Sequence, residues 1–233
     1  MYLRPVKKGV KILFGIGLFL GAFFMFKELI RPIYMARSVT DSDKFLQLKN
    51  QWADMPAVQD EIILIGNSLC VEYPHDSLAA YPITKMAMRG DINANLPGRI
   101  DVLKDRNPHM VIVAMGVNDV LSLGDFYPRG YEYFLEQASH SVDAEMVLMS
   151  ISPVSFDSGL FSNSEKANRK IIEGNILIQD MSVRYGATYL DVHSGLSDNG
   201  ELAKKFTYDG IHLTEEGYRV WEQQFNLLLE KGG

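Results

Sequence analysis

Short apolar segments alternate with longer amphipathic segments from about residue 60 to the C-terminus. Residues 62–65 are four consecutive branched apolar residues, which is typical of a strand buried on both faces of a parallel sheet. Five such segments are predicted strands: 62–65, 83–88, 110–115, 145–151 and 187–192. Helix-like segments lie between these strands, and this alternation predicts an α/β domain with a five-stranded parallel sheet and helices on both faces.

Two helices are predicted most clearly. The first covers about residues 163–185, begins at a capping box of Ser162 and Glu165, and ends at Gly186. The second begins after Thr214. Both have an apolar face, which we expect to pack on the sheet. The apolar face of the first helix consists of Ala167, Ile171, Ile178, Met181 and Tyr185. That of the second helix consists of Tyr218, Trp221, Phe225 and Leu228.

The N-terminal region has a different pattern. Residues 12–26 form an uninterrupted apolar run between Lys11 and Lys27, and Leu29 and Ile30 extend it. Residues 12–30 would span about 28 Å as a helix, close to the thickness of a bilayer core. A cleavable signal peptide is the alternative, although no small-x-small cleavage site follows the run.

These patterns divide the chain into four predicted parts. Residues 1–11 form a short cytoplasmic N-terminus, 12–30 a single-pass transmembrane anchor, 31–59 a juxtamembrane linker with a helix, and 60–233 the α/β domain. Basic residues before the run favour a cytoplasmic N-terminus and an extracytoplasmic domain in the cell membrane. In the linker, Phe45, Leu48 and Trp52 recur at helical spacing, which predicts an amphipathic helix beside the membrane or against the domain.

Charge and cysteine content exclude some functions. The net charge is −6 although residues 1–31 contribute +5, so the rest of the chain is acidic, and we expect no nucleic-acid partner. The single cysteine, Cys70, excludes an intramolecular disulfide and a cysteine-based zinc site. We interpret Cys70 as a small buried packing residue, and we expect no metal and no cofactor.

Candidate site residues follow three of the predicted strands. Ser68 comes just after the strand at 62–65, where open α/β sheets place their ligand crevice, and it is the candidate nucleophile. A serine that caps a helix in a strand-to-helix turn is the simpler interpretation of this stretch alone. Asn118 follows the third strand, and its side-chain amide could donate to an oxyanion. Gly90 follows the second strand, where its backbone N–H could approach a ligand closely.

An acidic residue and a histidine stand close together near the C-terminus. Asp209 precedes His212 by three residues with Gly210 between them, so a tight turn can bring the carboxylate to one ring nitrogen and leave the other facing Ser68. A serine hydrolase needs this acid–base–nucleophile arrangement. A surface cap or half of a metal site would also fit the pair. Among the other histidines only His193 has a comparable neighbour, Asp191, and it is the less favoured base.

Together these motifs resemble the SGNH hydrolase superfamily, also called the GDSL esterase/lipase family. Four blocks appear in the family's order between about residues 60 and 230: Gly66-Asn67-Ser68, Gly90, Gly116-Val117-Asn118-Asp119 and Asp209-Gly210-Ile211-His212. Two departures are visible. Asn67 stands where many members have Asp, and the second block lacks the Asn that often stands two residues before the glycine.

The resemblance implies a flavodoxin-like three-layer α/β/α fold and metal-free ester hydrolysis through an acyl-enzyme. Ser68 would be the nucleophile, His212 the general base and acid, and Asp209 the residue that orients His212. The N–H groups of Ser68 and Gly90 and the amide of Asn118 would form the oxyanion hole. The long loops 120–129 and 152–164 are expected to form pocket walls.

The resemblance and the predicted anchor give a first hypothesis for function. We expect a membrane-anchored serine esterase that removes acyl groups, foremost O-acetyl groups, from a cell-surface or exported glycan. A lipase-like or lysophospholipase activity on a lipid ester and acyl transfer in place of hydrolysis are the alternatives. A degenerate domain that binds glycan or acts as a scaffold is the non-enzymatic alternative.

Overall fold

The computed structural model describes residues 43–156 and 163–232 of the chain, and its centre is a six-stranded sheet. In chain order the strands are β1 (Ile62–Gly66), β2 (Ser77–Leu78), β3 (Tyr81–Ala87), β4 (Met110–Ala114), β5 (Glu145–Met149) and β6 (Thr188–Leu190). Their spatial order is β2-β3-β1-β4-β5-β6. All neighbours pair in parallel except β2, which pairs with β3 in antiparallel fashion at one edge. The five predicted parallel strands are therefore present, and β2 is an addition that the sequence pattern did not predict.

Helices surround this sheet, and a small two-stranded ribbon lies outside it. The helices are α1 (Asp43–Asp54), α2 (Ser68–Glu72), α3 (Ile100–Lys104), α4 (Pro128–Ser141), α5 (Ser164–Tyr185), α6 (His193–Leu196) and α7 (Glu215–Gly232). The ribbon consists of β7 (Ser197–Asp198) and β8 (Glu201–Leu202). Two 3₁₀ segments, Asn93–Arg99 and Lys204–Phe206, and a π-helical turn, Asp119–Leu123, complete the described structure.

Apolar side chains form one core on each face of the sheet. Ile63 and Ile65 of β1 belong to the core that contains α1, α4 and α5. Ile62 and Leu64 belong to the opposite core, which contains α2 and α7. This alternation follows from the period of two in a strand, so a continuous apolar run is buried on both sides. The expected three-layer α/β/α arrangement is confirmed.

The two helices predicted most clearly are present. Residues at their ends determine where each helix begins and ends. The side chain of Asn163 caps α5 by accepting a hydrogen bond from the Lys166 N–H at 3.3 Å, while the predicted cap Ser162 lies outside the described residues. Gly186 ends α5 in the left-handed conformation, as predicted. Helix α7 begins at Glu215 and buries the four predicted apolar residues.

Helix α1 is the amphipathic helix predicted before the α/β domain, and it packs against that domain. Phe45 and Trp52 are buried, and the guanidinium of Arg99 lies over both rings, 4.8 Å from the centroid of Trp52. Arg106 donates to the carbonyls of Trp52 and Met55 at the end of α1, the latter at 2.8 Å. Burial and hydrogen bonding therefore attach α1 to the domain.

The predicted transmembrane anchor, residues 12–30, lies outside the described residues. Of the helices within residues 43–156 and 163–232, none has the length and apolar character that a membrane crossing requires.

Candidate active site

Ser68 lies in the sharp turn between β1 and α2. Asn67 caps α2, because its Oδ1 accepts a hydrogen bond from the Leu69 N–H at 3.0 Å, so the capping role belongs to Asn67 and not to Ser68. Cys70 packs directly under the turn: a Cβ on Gly66 would lie 2.1 Å from its Sγ. Only glycine therefore fits at position 66, and the close packing fixes the backbone that carries Ser68.

Asp209 and His212 lie in a second tight turn. The Oδ1 of Asp209 accepts hydrogen bonds from the N–H groups of Ile211 at 2.9 Å and His212 at 2.7 Å. Gly210 has a φ of +88°, and a Cβ there would lie 2.3 Å from the carbonyl oxygen of Ser155. The turn therefore needs a glycine for both its conformation and its packing.

A continuous hydrogen-bond chain joins these two turns. His212 Nδ1 lies 2.6 Å from Asp209 Oδ2, and His212 Nε2 lies 3.0 Å from Ser68 Oγ, across a separation of 144 residues. Partial burial acts to raise the pKa of Asp209, but the hydrogen bonds from the His212 ring and from the two backbone N–H groups outweigh it and lower that pKa. A charged carboxylate favours the tautomer with the proton on Nδ1, which leaves Nε2 free to accept the proton of Ser68.

The predicted oxyanion-hole residues lie at the same edge of the sheet as Ser68. Gly90 follows β3 and Asn118 follows β4, the two strands that pair with β1. The Nδ2 of Asn118 donates to the carbonyl of Asp91 at 2.9 Å, which connects it to the turn that carries Gly90. An amide nitrogen has two N–H groups, so this bond fixes the side chain and leaves a second donor.

Glu72 and Tyr208 lie next to His212, and Arg89 binds Glu72; the sequence reasoning missed all three. Glu72, at the end of α2, forms an ion pair with Arg89 and accepts a hydrogen bond from the Tyr208 hydroxyl at 2.8 Å. Its Oε1 lies 4.0 Å from His212 Nε2, and the Tyr208 ring stacks on the His212 ring with an interplanar angle of 12°. Burial acts to raise the pKa of Glu72, but the hydrogen bonds from Arg89 and Tyr208 outweigh it and lower that pKa.

The sequence contained one indication of these three residues: each stands close in sequence to a predicted site residue. Glu72 comes four residues after Ser68, Arg89 directly precedes Gly90, and Tyr208 directly precedes Asp209. We call Glu72, Arg89 and Tyr208 the rim cluster.

The less favoured histidine does not form a comparable relay. The carboxylate of Asp191 accepts hydrogen bonds from the hydroxyls of Ser194 at 2.6 Å and Ser150 at 3.4 Å. Burial lowers the pKa of His193, and its Nε2 has no hydrogen-bond partner within the described part of the chain. Asp191 also accepts a hydrogen bond from the Ser194 N–H at 3.1 Å, so its carboxylate binds the start of α6 and does not orient an imidazole.

Cys70 is a buried packing residue, as the sequence suggested. It is fully buried, and this burial raises the pKa of its thiol to about 12. A thiol in this state is a poor nucleophile near neutral pH. Within residues 43–156 and 163–232 there is also no group of three His, Cys, Asp or Glu side chains that could hold a metal ion.

Two cavities lie near these elements. The space directly behind the Ser68 turn, between Asn67, Met115 and Trp221, measures only about 10 Å³. A larger cavity of about 1170 Å³ lies beside the β7–β8 ribbon, and its lining does not include Ser68, Asp209 or His212.

The two long loops differ from their prediction in part. Residues 119–123 form the π-helical turn rather than a loop, and Phe126 is buried in the core. In the second loop, the N–H of Ser155 donates to the carbonyl of Gly210 at 2.8 Å, and Ser155 and Phe156 line the larger cavity. This loop therefore supports the turn of Asp209 and His212, while residues 157–162 lie outside the described residues.

Comparison with solved structures supports the fold. Three similar solved structures share the fold. A Streptococcus pneumonia protein named as a candidate platelet activating factor is 20% identical, with a TM-score of 0.66 over 92% of this chain and 99% of that one. A GDSL-like lipase from Bacteroides thetaiotaomicron is 16% identical, with a TM-score of 0.68 over 81% and 98% of the two chains. A catalytic mutant of an acetylxylan esterase from Geobacillus stearothermophilus is 11% identical, with a TM-score of 0.57 over 73% and 94%.

The sequence itself gives the family. No curated protein matches the chain. The profile of the GDSL-like lipase/acylhydrolase family, however, matches residues 64–220, a segment that contains Ser68, Gly90, Asn118, Asp209 and His212. The predicted resemblance is confirmed: the chain belongs to the GDSL-like lipase/acylhydrolase family and is a serine ester hydrolase of the SGNH type.

Proposed function

We propose that this protein is a membrane-anchored esterase that removes O-acetyl groups from a cell-surface or exported glycan through an acyl-enzyme on Ser68. The main support for the esterase activity is the continuous hydrogen-bond chain from Ser68 through His212 to Asp209. In this proposal Ser68, His212 and Asp209 are the catalytic residues. Gly90 and Asn118 complete the oxyanion hole.

The geometry supports an ordered mechanism. Ser68 Oγ attacks the ester carbonyl carbon while its proton passes to His212 Nε2, and Asp209 stabilises the resulting imidazolium. The N–H groups of Ser68 and Gly90 and the amide of Asn118 bind the oxyanion of the tetrahedral intermediate. His212 then protonates the leaving alcohol oxygen as the C–O bond breaks, and an acyl-enzyme remains. Water, deprotonated by the same nitrogen, attacks the acyl-enzyme and releases the acid.

Two observations outside the catalytic residues support the substrate and the location in this proposal. One structural relative is named an acetylxylan esterase, and acetyl ester hydrolysis is the chemistry that we propose here. The apolar run at 12–30 with its flanking lysines supports the membrane anchor.

Labelling with a serine-reactive fluorophosphonate tests the nucleophile. The wild-type protein should label, and Ser68→Ala should neither label nor hydrolyse an acetyl ester. Ser194→Ala is the matched control, because Ser194 also follows a strand and hydrogen-bonds a carboxylate but lies outside the chain of catalytic residues. Full labelling of Ser68→Ala would refute the assignment.

The acyl chain length and the products test the substrate. Activity should fall steadily from acetyl to octanoyl esters of one alcohol, and acetate should accumulate when an acetylated polysaccharide is the substrate. A preference for acyl chains longer than about eight carbons would refute the glycan substrate in favour of a lipid ester. Transfer of the acetyl group to an added sugar, with no free acetate, would refute hydrolysis in favour of acyl transfer.

Cell fractionation tests the anchor. The full-length protein should remain with the membrane after a high-salt wash, and deletion of residues 1–30 should release it. Release of the full-length protein by salt alone would contradict the anchor.

A further inference from the structure

The rim cluster connects three of the four chain segments that carry the proposed active-site residues. Glu72 comes from the helix that begins at Ser68, Arg89 from the turn of Gly90, and Tyr208 from the turn of Asp209 and His212. Glu72 holds the cluster together, because its carboxylate accepts hydrogen bonds from both Arg89 and the Tyr208 hydroxyl. The cluster therefore has a fixed position relative to His212.

The mechanism places the leaving alcohol beside this cluster. His212 Nε2 delivers its proton to the leaving oxygen, so the alcohol must lie within hydrogen-bond distance of Nε2 in that step. Glu72 Oε1 is 4.0 Å from the same nitrogen, and Tyr208 stacks on the same ring. The rim cluster therefore faces the alcohol part of the ester rather than its acyl part.

The exposure and chemistry of the cluster match a polyhydroxylated ring. Tyr208 is 63% exposed although its ring is held against His212, so it presents an aromatic surface to solvent. The side chain of Arg89 is 54% exposed, and its planar guanidinium has five N–H donors, one of which contacts Glu72. An aromatic surface beside a charged donor and a carboxylate acceptor can stack on the apolar face of a sugar ring and hydrogen-bond its hydroxyls.

We propose that Tyr208, Glu72 and Arg89 form an alcohol-side subsite that binds the sugar ring from which the acetyl group is removed. This inference rests on the proposed function and names its specificity-determining residues. The subsite selects the alcohol, whereas Ser68 and His212 perform the chemistry on any acetyl ester.

Two substrates with the same acyl group separate these roles. A methyl pyranoside with a single acetyl group keeps its other hydroxyls for the subsite, whereas the ethyl group of ethyl acetate has neither a ring that could stack on Tyr208 nor a hydroxyl that Glu72 or Arg89 could bind. We expect wild-type kcat/KM to be higher for the acetylated sugar. Tyr208→Leu should lower kcat/KM for the sugar by about three- to tenfold, mainly through KM, which is the factor expected for one aromatic stacking contact. The decrease in kcat/KM should be larger for the acetylated sugar than for ethyl acetate.

Three further variants make the comparison specific. Tyr208→Phe keeps the ring and should retain most of the preference for the sugar. Arg89→Met removes the donor and should lower the preference. Tyr133→Leu is the matched control, because Tyr133 is also an exposed tyrosine, 53% exposed, but lies on α4 away from the rim cluster. It should change neither substrate, and thermal unfolding of each variant should confirm that the fold is intact.

The outcomes distinguish the subsite from the proposed function. If the wild type prefers the sugar and Tyr208→Leu keeps that preference, the subsite is refuted while the glycan esterase stands. If Tyr208→Leu lowers kcat equally for both substrates, Tyr208 positions His212 and the subsite is again refuted. If the wild type shows no preference for the sugar, the glycan substrate itself is refuted.

Discussion

The hydrogen bonds of Asp209 lead to a sharp prediction for Asp209→Asn. In the wild type, Oδ1 accepts from two backbone N–H groups and Oδ2 contacts His212 Nδ1. In the variant, the amide oxygen should keep the two backbone donors, so the NH₂ group must face Nδ1. This arrangement favours the tautomer with the proton on Nε2, which points at Ser68 and cannot accept its proton.

The structure allows the size of this effect to be worked out. Turning the amide to restore the active tautomer would break two hydrogen bonds of about 1 kcal/mol each. Loss of the carboxylate charge beside the imidazolium costs about 4 kcal/mol at an intermediate dielectric constant, which we halve to about 2 kcal/mol for solvent screening. The screening applies because the Asp209 side chain is 40% exposed. The total of about 4 kcal/mol corresponds to a decrease in kcat of about a thousandfold.

Hydrolysis of an acetyl ester, with kcat measured from pH 5 to 9, is the assay. Nitrogen-15 NMR of the His212 ring should show the proton on Nδ1 in the wild type and on Nε2 in the variant. Asp191→Asn is the matched control, because Asp191 caps a turn at the same edge of the sheet and should tolerate the change. A kcat for Asp209→Asn within about tenfold of the wild type would refute this account of the tautomer.

Three other changes have definite expected outcomes. Asn118→Ala should lower kcat for an acetyl ester by about 10²–10³-fold, because one oxyanion donor is lost. KM and Tm should change little. An unchanged kcat would contradict the oxyanion role. Arg99→Met leaves the fully buried Asp91 without its ion-pair partner. The free energy of unfolding, measured in urea, should therefore fall by about 3–5 kcal/mol. A decrease below about 1 kcal/mol would contradict a structural role for this buried pair. Burial raises the pKa of Cys70 to about 12, above the ordinary value, so little thiolate forms at pH 8. Iodoacetamide should therefore modify Cys70 in urea and not in the native protein, and equal rates in both states would contradict this.

The catalytic arrangement was predictable from the sequence because it depends on short local motifs. Gly66-Asn67-Ser68 and Asp209-Gly210-Ile211-His212 each carry their own turn chemistry. The first lies at the end of β1, and the second lies between Thr207 and Leu213, which form an isolated bridge. The continuous apolar run of β1 and the periodic apolar faces of α5 and α7 likewise predicted the layers, because each is a local pattern. Local patterns therefore predicted the elements and the parallel sheet, whereas the flavodoxin-like arrangement was implied by the resemblance to the family.

The features that sequence reasoning missed depend on contacts between distant segments. Strand β2 has only two residues, too few to show a period, and it forms because Tyr81 and Pro82 of β3 offer it an edge. The rim cluster joins positions 17 and 136 residues apart, and no spacing rule connects them. Its members are ordinary surface residue types, so only their closeness in space distinguishes them.

The attachment of α1 to the domain limits how far a membrane-anchored enzyme could reach. Because Phe45 and Trp52 are buried and Arg106 binds the end of the helix, α1 cannot serve as a flexible tether. Only residues 31–42 would then connect the proposed anchor to the folded domain, and twelve residues span at most about 40 Å when fully extended. An anchored esterase with this geometry would work in a thin layer next to the bilayer. The proposed glycan would be reached only within this distance of the bilayer.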